Sequence, residues 1–382
     1  MGRGRRYIQL TQCRCIGYVI VGIFCQAACQ LEPKERRASG GLAAKQNANV
    51  RFEELNISCA VSNRPLPIDL AMNIIMFGAV ALTVGGNLLV IVSITHFKQL
   101  HTPTNFLILS LAVVDFLLGL LVMPYSSVRS VTSCWYFGEM FCTLHSCIDM
   151  TLCTSSIFHL FFISVDRYFA VCHPLHYYRK ITISVVEVCL LISWTIPCVY
   201  SFGLVFSNAN MEGLQGSEPP PDCCDSCSLV FNKLWSIITS FFCFFFPGSL
   251  MIGIYLRVFS VAKKQAKAIN NHSNSTSEKN NTKNRMSIKV ESKAARTLSL
   301  VMGVFILCWM PFFVTTIADP YLNFSVSVDF YNVVLWLGYF NSALDPIIYA
   351  LFYPWFKKSF RIILSGKILH TGSSSINVLA KL

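Results

Sequence analysis

The chain has 382 residues, of which 54% are hydrophobic and 13% are charged, about half the charged share of a soluble globular domain. A chain this apolar is not disordered over most of its length, and it has too little polar surface to cover a soluble core. The net charge of +12 could indicate nucleic-acid binding. However, the basic residues lie in short segments beside apolar runs, which favours membrane topology and no nucleic acid.

The first 67 residues precede any apolar run long enough to cross a membrane, and we interpret residues 1–67 as an N-terminal region. Three arginines stand before a short apolar run, Ile16–Phe24, and small residues follow it, as in a secretory signal peptide. An incidental extension over residues 1–30 is the alternative, and both interpretations stay open. The sequon that begins at Asn56 is a candidate glycosylation site.

Seven apolar segments follow, each long enough to cross a hydrocarbon core as a helix. The segments lack the alternation of apolar and polar residues that is typical of strands, and lipid offers no hydrogen-bond partner to unpaired backbone groups. The sequence therefore predicts an all-α membrane protein, a seven-transmembrane-helix bundle over residues 68–353. The predicted spans 1 to 7 are about Ile68–Ile94, Asn105–Val128, Met140–Val171, Ser184–Phe206, Leu234–Val258, Leu298–Ile317 and Phe330–Phe352.

The charges of the connecting loops predict the orientation of the bundle. The segment Arg257–Arg296 holds ten Lys and Arg residues against two acidic ones, whereas the loops on the opposite side carry mainly acidic residues. By the positive-inside rule, the N-terminus is extracellular, and the connection 259–292 and the C-terminus are cytoplasmic. The sequon at Asn56 then lies outside, as glycosylation requires.

A carboxylate near the outer end of span 3 is the first candidate for a functional site, because charge at membrane depth costs several kcal/mol. The outer halves of the spans contain no Lys or Arg that could pair with Asp149, since Arg129 stands at a loop edge. It must therefore protonate, hydrate or bind a cation. Aromatic residues of spans 6 and 7 would suit an ammonium group through cation–π attraction, although helix packing alone is the alternative for each. They are Trp309, Phe312, Phe313, Trp336 and Tyr339.

Two further polar sets lie within the predicted spans. Arg167, in Asp166-Arg167-Tyr168 at the inner end of span 3, is five helical turns and roughly 27 Å from Asp149; a snorkelling cap is the alternative interpretation. The second set is rich in oxygen and could hold a hydrated Na⁺ ion, with a water-filled hydrogen-bond network as the alternative. It consists of Asp115, Ser156, Asn341, Ser342 and Asp345.

Seven motifs occur in order along the spans. They are Gly86-Asn87, Leu111-Ala112-Val113-Val114-Asp115, Asp166-Arg167-Tyr168, Trp194, Pro247, Cys308-Trp309-Met310-Pro311 and Asp345-Pro346-Ile347-Ile348-Tyr349. Together they resemble the rhodopsin-like G-protein-coupled receptors, over about Ile68 to Leu364. Asp149, Trp336 and Tyr339 resemble the aminergic branch. The stretch Asn341–Phe356 is similar to the fingerprint of trace amine-associated receptors, except that Asp345 stands where the fingerprint has Asn.

This resemblance implies roles for individual residues. The implied ligand contacts are Asp149, Cys153, Thr239, Trp309, Phe312, Phe313, Trp336 and Tyr339. The implied activation and coupling residues are Asp166, Arg167, Tyr168, Pro311 and Tyr349. The implied disulfides are Cys142–Cys227 and Cys59–Cys223. A short amphipathic helix 8 and a cytoplasmic tail are expected over residues 354–382.

The resemblance also implies a function. The expected protein is a plasma-membrane receptor for a small protonated amine, which signals through a stimulatory heterotrimeric G protein and raises cyclic AMP. Its expected setting is olfaction, with a neuronal role as the alternative. No catalytic set and no cofactor is expected, apart from Na⁺ as an allosteric ion. The absence of an acidic residue in span 5 favours a monoamine with an apolar or aromatic tail, such as a phenylethylamine-like compound. The alternatives are a biogenic-amine receptor of the serotonin or histamine kind, or a secondary amine transporter, although no internal repeat supports the latter.

Overall fold

The computed structural model describes residues 65–133, 135–214, 227–273, 282–370 and 372–379. Within them, seven helices are long and apolar enough to cross a membrane, which confirms the predicted number and order of the spans. Their bounds are Leu66–His96, Pro103–Thr132, Glu139–Cys172, Ile183–Phe206, Lys233–Val261, Leu300–Tyr321 and Val328–Phe352. "Inner" and "outer" below refer to the predicted orientation.

The spans belong to one compact unit, made of Ala60–Trp135 and Glu139–Leu382. Of the other unit, only Tyr136–Gly138 is described, and it is not helical. The described residues include no strand. Shorter helical pieces connect the spans or follow them: Lys98–Leu100, Pro174–Lys180, Ala209–Met211, Asp319–Tyr321, Lys367–Leu369 and Ser373–Ser375. The predicted signal-like segment and Asn56 lie outside the described residues.

Side-chain caps determine where several spans begin. At the start of spans 2, 4, 5 and 7, a side-chain oxygen accepts a hydrogen bond from the backbone amide three residues further on, which satisfies a donor that the helix leaves unpaired. The capping residues are Thr102, Thr182, Asn232 and Ser327. Pro103 then occupies the first position of span 2, where its missing amide costs nothing.

Spans 2 and 5 depart from regular α-helix in their interiors. Span 2 consists of the helices Pro103–Leu121 and Met123–Thr132, separated at Val122 just before a proline. Span 5 contains a π-helical turn, Phe241–Phe245, which ends two residues before Pro247. A proline cannot donate to the carbonyl four residues earlier, and its ring clashes with that carbonyl. The wider turn relieves this conflict.

The helices of spans 5 and 6 continue beyond the membrane-spanning segments. The first extends through Ser273, and the second begins at Thr282 and ends at Ala318. The predicted loop 259–292 is therefore helical in its described parts. These described parts contain five Lys and three Ala residues, which are strong helix formers.

Span 3 lies at the centre of the bundle, where it packs against spans 2, 4, 5 and 6. The most apolar stretch of span 7 is 67% buried, whereas those of spans 1 and 4 are 28% buried. Spans 1 and 4 therefore expose most of their apolar side chains to the surroundings, which a lipid bilayer accommodates.

The predicted short helix after span 7 is confirmed over Pro354–Leu364. It is amphipathic: Trp355 and Phe356 are buried in the hydrophobic core, and Lys357 is exposed. Beyond it, residues 372–379 pack against the connection between spans 1 and 2. There, Ser373 Oγ lies 2.9 Å from His96 Nε2.

Candidate ligand-binding site

A cavity of about 240 Å³ lies between spans 3, 5, 6 and 7. The outer-loop residues Ser228–Phe231 form part of its wall. Six of the eight ligand contacts implied by the sequence line it: Asp149, Cys153, Thr239, Trp309, Phe312 and Phe313. The structure thus brings together side chains from three separate spans around one carboxylate.

Asp149 is partly buried in the wall of the cavity. The Tyr339 hydroxyl donates a hydrogen bond of 2.6 Å to its Oδ2 atom, and the Cys153 thiol lies 3.3 Å from its Oδ1 atom. Among the described residues, no cationic side chain forms an ion pair with Asp149. Its charge is therefore stabilised by hydrogen bonds and remains available to a cation in the cavity.

The other two implied ligand contacts do not line the cavity. The Trp336 indole is buried and donates from Nε1 to Ser130 Oγ at 3.0 Å, towards span 2. Tyr339 is fully buried behind Asp149. Helical spacing alone places both residues on a face of span 7 but does not give their depth. The structure makes Tyr339 a support for the carboxylate instead of a wall residue.

The structure adds two wall residues that sequence reasoning missed. Arg129, placed at a loop edge by the sequence, lines the cavity and donates a hydrogen bond to the carbonyl of Cys227. His145 lines it as well, with Nε2 3.3 Å from the carbonyl of Val122. His145 stands four residues before Asp149, a spacing that places both on one helix face and could have indicated it. Nothing in the linear sequence brings Arg129 near Cys227.

An aromatic cluster forms the inner end of the cavity. The Trp309 ring centroid lies 5.7 Å from that of Phe312 and 5.9 Å from that of Phe313. Span 7 approaches this cluster very closely at Gly338, where an added Cβ atom would lie 2.8 Å from the Trp309 ring. A glycine is required there, because any side chain would collide with the indole. Spans 6 and 7 are therefore in direct contact beneath the cavity.

One of the two implied disulfides is confirmed. Cys142 and Cys227 are bonded, with their Cα atoms 5.6 Å apart. The bond attaches the outer loop to span 3, and the wall segment Ser228–Phe231 follows it directly. The second implied pair, Cys59 and Cys223, lies outside the described residues.

At the inner end of span 3, a hydrogen-bonded cluster surrounds an ion pair. Arg167 pairs with Asp166 and also donates to the Thr104 hydroxyl. Asp166 accepts from Thr104 at 2.9 Å and from the Tyr177 hydroxyl at 2.8 Å. The neighbouring Tyr168 turns away, with its hydroxyl 3.4 Å from His173. Arg167 is thus held inside the bundle.

Tyr177 belongs to the short helix Pro174–Lys180, outside the spans. Burial raises the pKa of Tyr177 to about 12, with the nearby Asp166 carboxylate adding to the effect. Its hydroxyl therefore stays protonated and able to donate at any physiological pH.

The oxygen-rich set also converges in the bundle. Asp115 accepts hydrogen bonds from Ser342 at 2.8 Å and from Ser156 at 3.5 Å, and the Asp345 carboxyl lies beside it. Apart from the adjacent Asp115 carboxyl, the Asp345 oxygens have no hydrogen-bond partner among the described residues, and neither do the polar atoms of Asn341. Two adjacent carboxylates with free oxygens suit a hydrated cation, which would reduce their repulsion.

Two further residues of the implied activation set lie on spans 7 and 6. Tyr349 is buried, and its hydroxyl has no partner among the described residues. Pro311 lies within the helix of span 6, two residues beyond Trp309. The activation residues therefore extend from the cavity to the inner end of the bundle.

Comparisons with known proteins agree with this arrangement. The family model described as "7 transmembrane receptor (rhodopsin family)" matches residues 86–349. Trace amine-associated receptor 4 of Mus musculus is 54% identical over 324 residues, which cover 85% of this chain and 93% of the relative. Trace amine-associated receptor 2 of Rattus norvegicus is 48% identical over 326 residues, with coverages of 85% and 94%. Trace amine-associated receptor 1 of Macaca mulatta is 47% identical over 321 residues, with coverages of 84% and 95%.

The chain belongs to the trace amine-associated receptor family. It is a multi-pass membrane receptor and not an enzyme. The matched segment, 86–349, contains the cavity carboxylate, the ion-pair cluster and the oxygen-rich set. The transporter alternative loses its support, because these relatives are receptors.

Proposed function

We propose that the chain is a plasma-membrane receptor for small protonated amines, with its N-terminus outside the cell. The observation that carries this proposal is Asp149, a carboxylate in the wall of a cavity that forms no ion pair with a described residue. An ammonium group would receive charge-assisted hydrogen bonds from it and cation–π attraction from the adjacent rings. The names of the three relatives refer to trace amines, which supports the same ligand class.

The size and lining of the cavity support a small monoamine. Its volume of about 240 Å³ is below the roughly 300–1,000 Å³ of pockets that hold drug-sized ligands. Trp309, Phe312 and Phe313 provide an apolar surface for a tail. In span 5, the Thr239 hydroxyl lies 2.8 Å from that of Tyr200, so this side of the cavity presents a neutral group. We therefore propose a primary amine with an apolar or aromatic tail, such as a phenylethylamine-like compound.

The proposed mechanism is a shift between two conformations of the bundle. In the conformation described here, Arg167 is held by Asp166 and Thr104. An amine that binds more tightly when the inner end of span 6 has moved outward favours that second state. Trp309 and Pro311 would transmit the movement. Arg167 and Tyr349 would then contact a stimulatory G protein, which raises cyclic AMP. The olfactory setting stays a prediction.

We also propose that Na⁺ binds among the oxygen-rich set and favours the conformation described here. The unpartnered oxygens of Asp115 and Asp345, with the side chain of Asn341, support this assignment. A cation there offsets the repulsion between two carboxylates. Outward movement of the inner end of span 6 would loosen the packing around this set, so Na⁺ would bind less tightly in the second state.

A series of ligands that share one tail, of which only the amine is charged, tests the proposed function. Membranes containing the full chain and a stimulatory G protein are titrated with phenylethylamine, the matching alcohol and the matching hydrocarbon, and nucleotide exchange is measured. The amine should be about tenfold to a hundredfold more potent than the uncharged compounds, because neither of them offers a charged donor to the Asp149 carboxylate. Equal potency of all three would refute the proposal.

One further arm tests the remaining alternative. Higher potency of serotonin or histamine than of the simple amine would favour a biogenic-amine receptor.

A further inference from the structure

A second depression lies on the outside of the bundle, between the inner halves of spans 5 and 6. We name it the 5–6 groove; its volume is about 270 Å³. Among its lining residues are Ile252, Tyr255, Leu256 and Phe259 of span 5, and Gly303 and Ile306 of span 6. All are apolar except for the Tyr255 hydroxyl, and none of them lines the amine cavity. The 5–6 groove is therefore a separate site that faces the membrane.

Gly303 gives this groove its depth. A Cβ atom added at Gly303 would have no neighbour within 4 Å. Glycine in a helix interior is less stable than alanine by about 1 kcal/mol, and here no close approach of another element requires it, in contrast to Gly338. The missing side chain leaves an open space on span 6. Across it, Leu256 and Phe259 are 64% and 65% exposed.

The apolar wall on span 5 leads to a positive charge. Ile252, Leu256 and Phe259 are spaced by four and three residues, and Lys263 follows four residues later. This spacing places all of them on one face of the helix, with Lys263 roughly 6 Å beyond Phe259 along the axis. Lys263 is exposed and forms no ion pair with a described residue. In the proposed orientation, it lies at the cytoplasmic surface.

We propose that the 5–6 groove binds one acyl chain of an anionic phospholipid of the inner leaflet, such as phosphatidylserine, and that Lys263 binds its headgroup. A flexible chain fits a narrow apolar groove open to the bilayer. The lysine at its end complements a headgroup that carries net negative charge, which neither a sterol nor phosphatidylcholine does. Phosphatidylserine and related anionic lipids are concentrated in the cytoplasmic leaflet, where this end of the groove lies.

The bound chain would lie between spans 5 and 6, whose separation changes in the proposed activation. This regulatory consequence rests on the proposed function, but the binding itself does not. A lipid-binding measurement without an amine therefore distinguishes failure of the lipid site from failure of the amine receptor assignment.

Photolabelling tests the proposal on the full chain in nanodiscs. The probes are phosphatidylserine and phosphatidylcholine, each with a photoreactive group in its acyl chain, and labelled peptides are mapped by mass spectrometry. We expect label within residues 251–259 or 302–306, about fivefold stronger for phosphatidylserine, and competed away by the unlabelled lipid. Equal labelling by both lipids, labelling only elsewhere, or stronger competition by a sterol would overturn the proposal.

Matched variants separate the chain contact from the headgroup contact. Gly303→Leu fills the 5–6 groove and should abolish labelling there, whereas Gly253→Leu adds the same side chain at another helical glycine with open space around it and should not. Lys263→Gln should reduce phosphatidylserine labelling to the phosphatidylcholine level. Lys264→Gln, with the same charge change about 100° further around the helix, should retain the preference. Identical behaviour of either pair would overturn the proposal, and the competition on the unmodified chain needs no variant to fold.

Discussion

Tyr339 donates a 2.6 Å hydrogen bond to Asp149 but does not line the cavity that Asp149 faces. The carboxylate therefore has one face towards a ligand and one hydrogen bond from a buried residue of another span. The phenol fixes the position of Asp149 and stabilises its negative charge. Ligand affinity should consequently depend on a side chain that no ligand touches.

Tyr339→Phe tests this support. Removing the hydroxyl leaves the ring packing intact but deletes a hydrogen bond to a charged group, so amine affinity should fall about tenfold. Cys153→Ala removes only the weak thiol contact at 3.3 Å and should have a smaller effect. Competition binding on purified receptor measures both. A Tyr339→Phe effect no larger than that of Cys153→Ala would contradict this role.

Asp149→Asn keeps the shape of the side chain and removes its charge. Amine potency should decrease by about a hundredfold, equivalent to about 3 kcal/mol, because the ammonium loses its charged partner. Cyclic AMP production with surface expression as a control is the measurement. Unchanged potency at normal expression would show that the amine binds elsewhere.

Gly338→Ala tests the contact between spans 6 and 7. Its new methyl group would lie 2.8 Å from the Trp309 ring, so the indole or the backbone must move. Overpacking of this kind costs about 1–3 kcal/mol, and the midpoint of thermal unfolding should decrease. Gly203→Ala is the control, because a Cβ atom there meets nothing within 4 Å. Equal midpoints for the two variants would exclude a tight contact at Trp309.

Tyr177→Phe weakens the cluster that holds Arg167. Asp166 loses the hydrogen bond of 2.8 Å, so Arg167 should be released more often and basal nucleotide exchange should increase. Because burial raises the pKa of Tyr177 to about 12, the hydroxyl of the unmodified chain remains a donor below that pH. The difference in basal activity between the two chains should therefore stay constant between about pH 6 and pH 8. A difference that changes with pH in this window would assign the effect to another group.

Asp115→Asn tests the proposed ion site. In the unmodified chain, sodium chloride should lower basal nucleotide exchange relative to an equal concentration of choline chloride. The variant lacks one of the two adjacent carboxylates, so the difference between the two salts should disappear. Persistence of the full sodium effect in the variant would locate the ion elsewhere.

The seven spans follow from hydropathy alone, because each must satisfy its backbone inside lipid. Asp149 and Arg167 are also identifiable from the sequence, since charge is rare at that depth. The depth of Trp336 and the approach of Arg129 to Cys227 depend on packing between distant segments, which helical spacing does not encode. The π turn at Phe241–Phe245 could not be predicted either, because Pro247 indicates an irregular helix but does not determine its geometry.

That π turn has an evolutionary consequence. It contains one residue more than regular α-helix requires, which rotates the outer part of span 5 by about 100° relative to the inner part. A one-residue insertion or deletion here would change which side chains beside Thr239 contact a ligand. The side chains of Tyr255 and its neighbours would keep their orientation. The outer half of span 5 could therefore acquire a different ligand-facing surface without any redesign of its inner half.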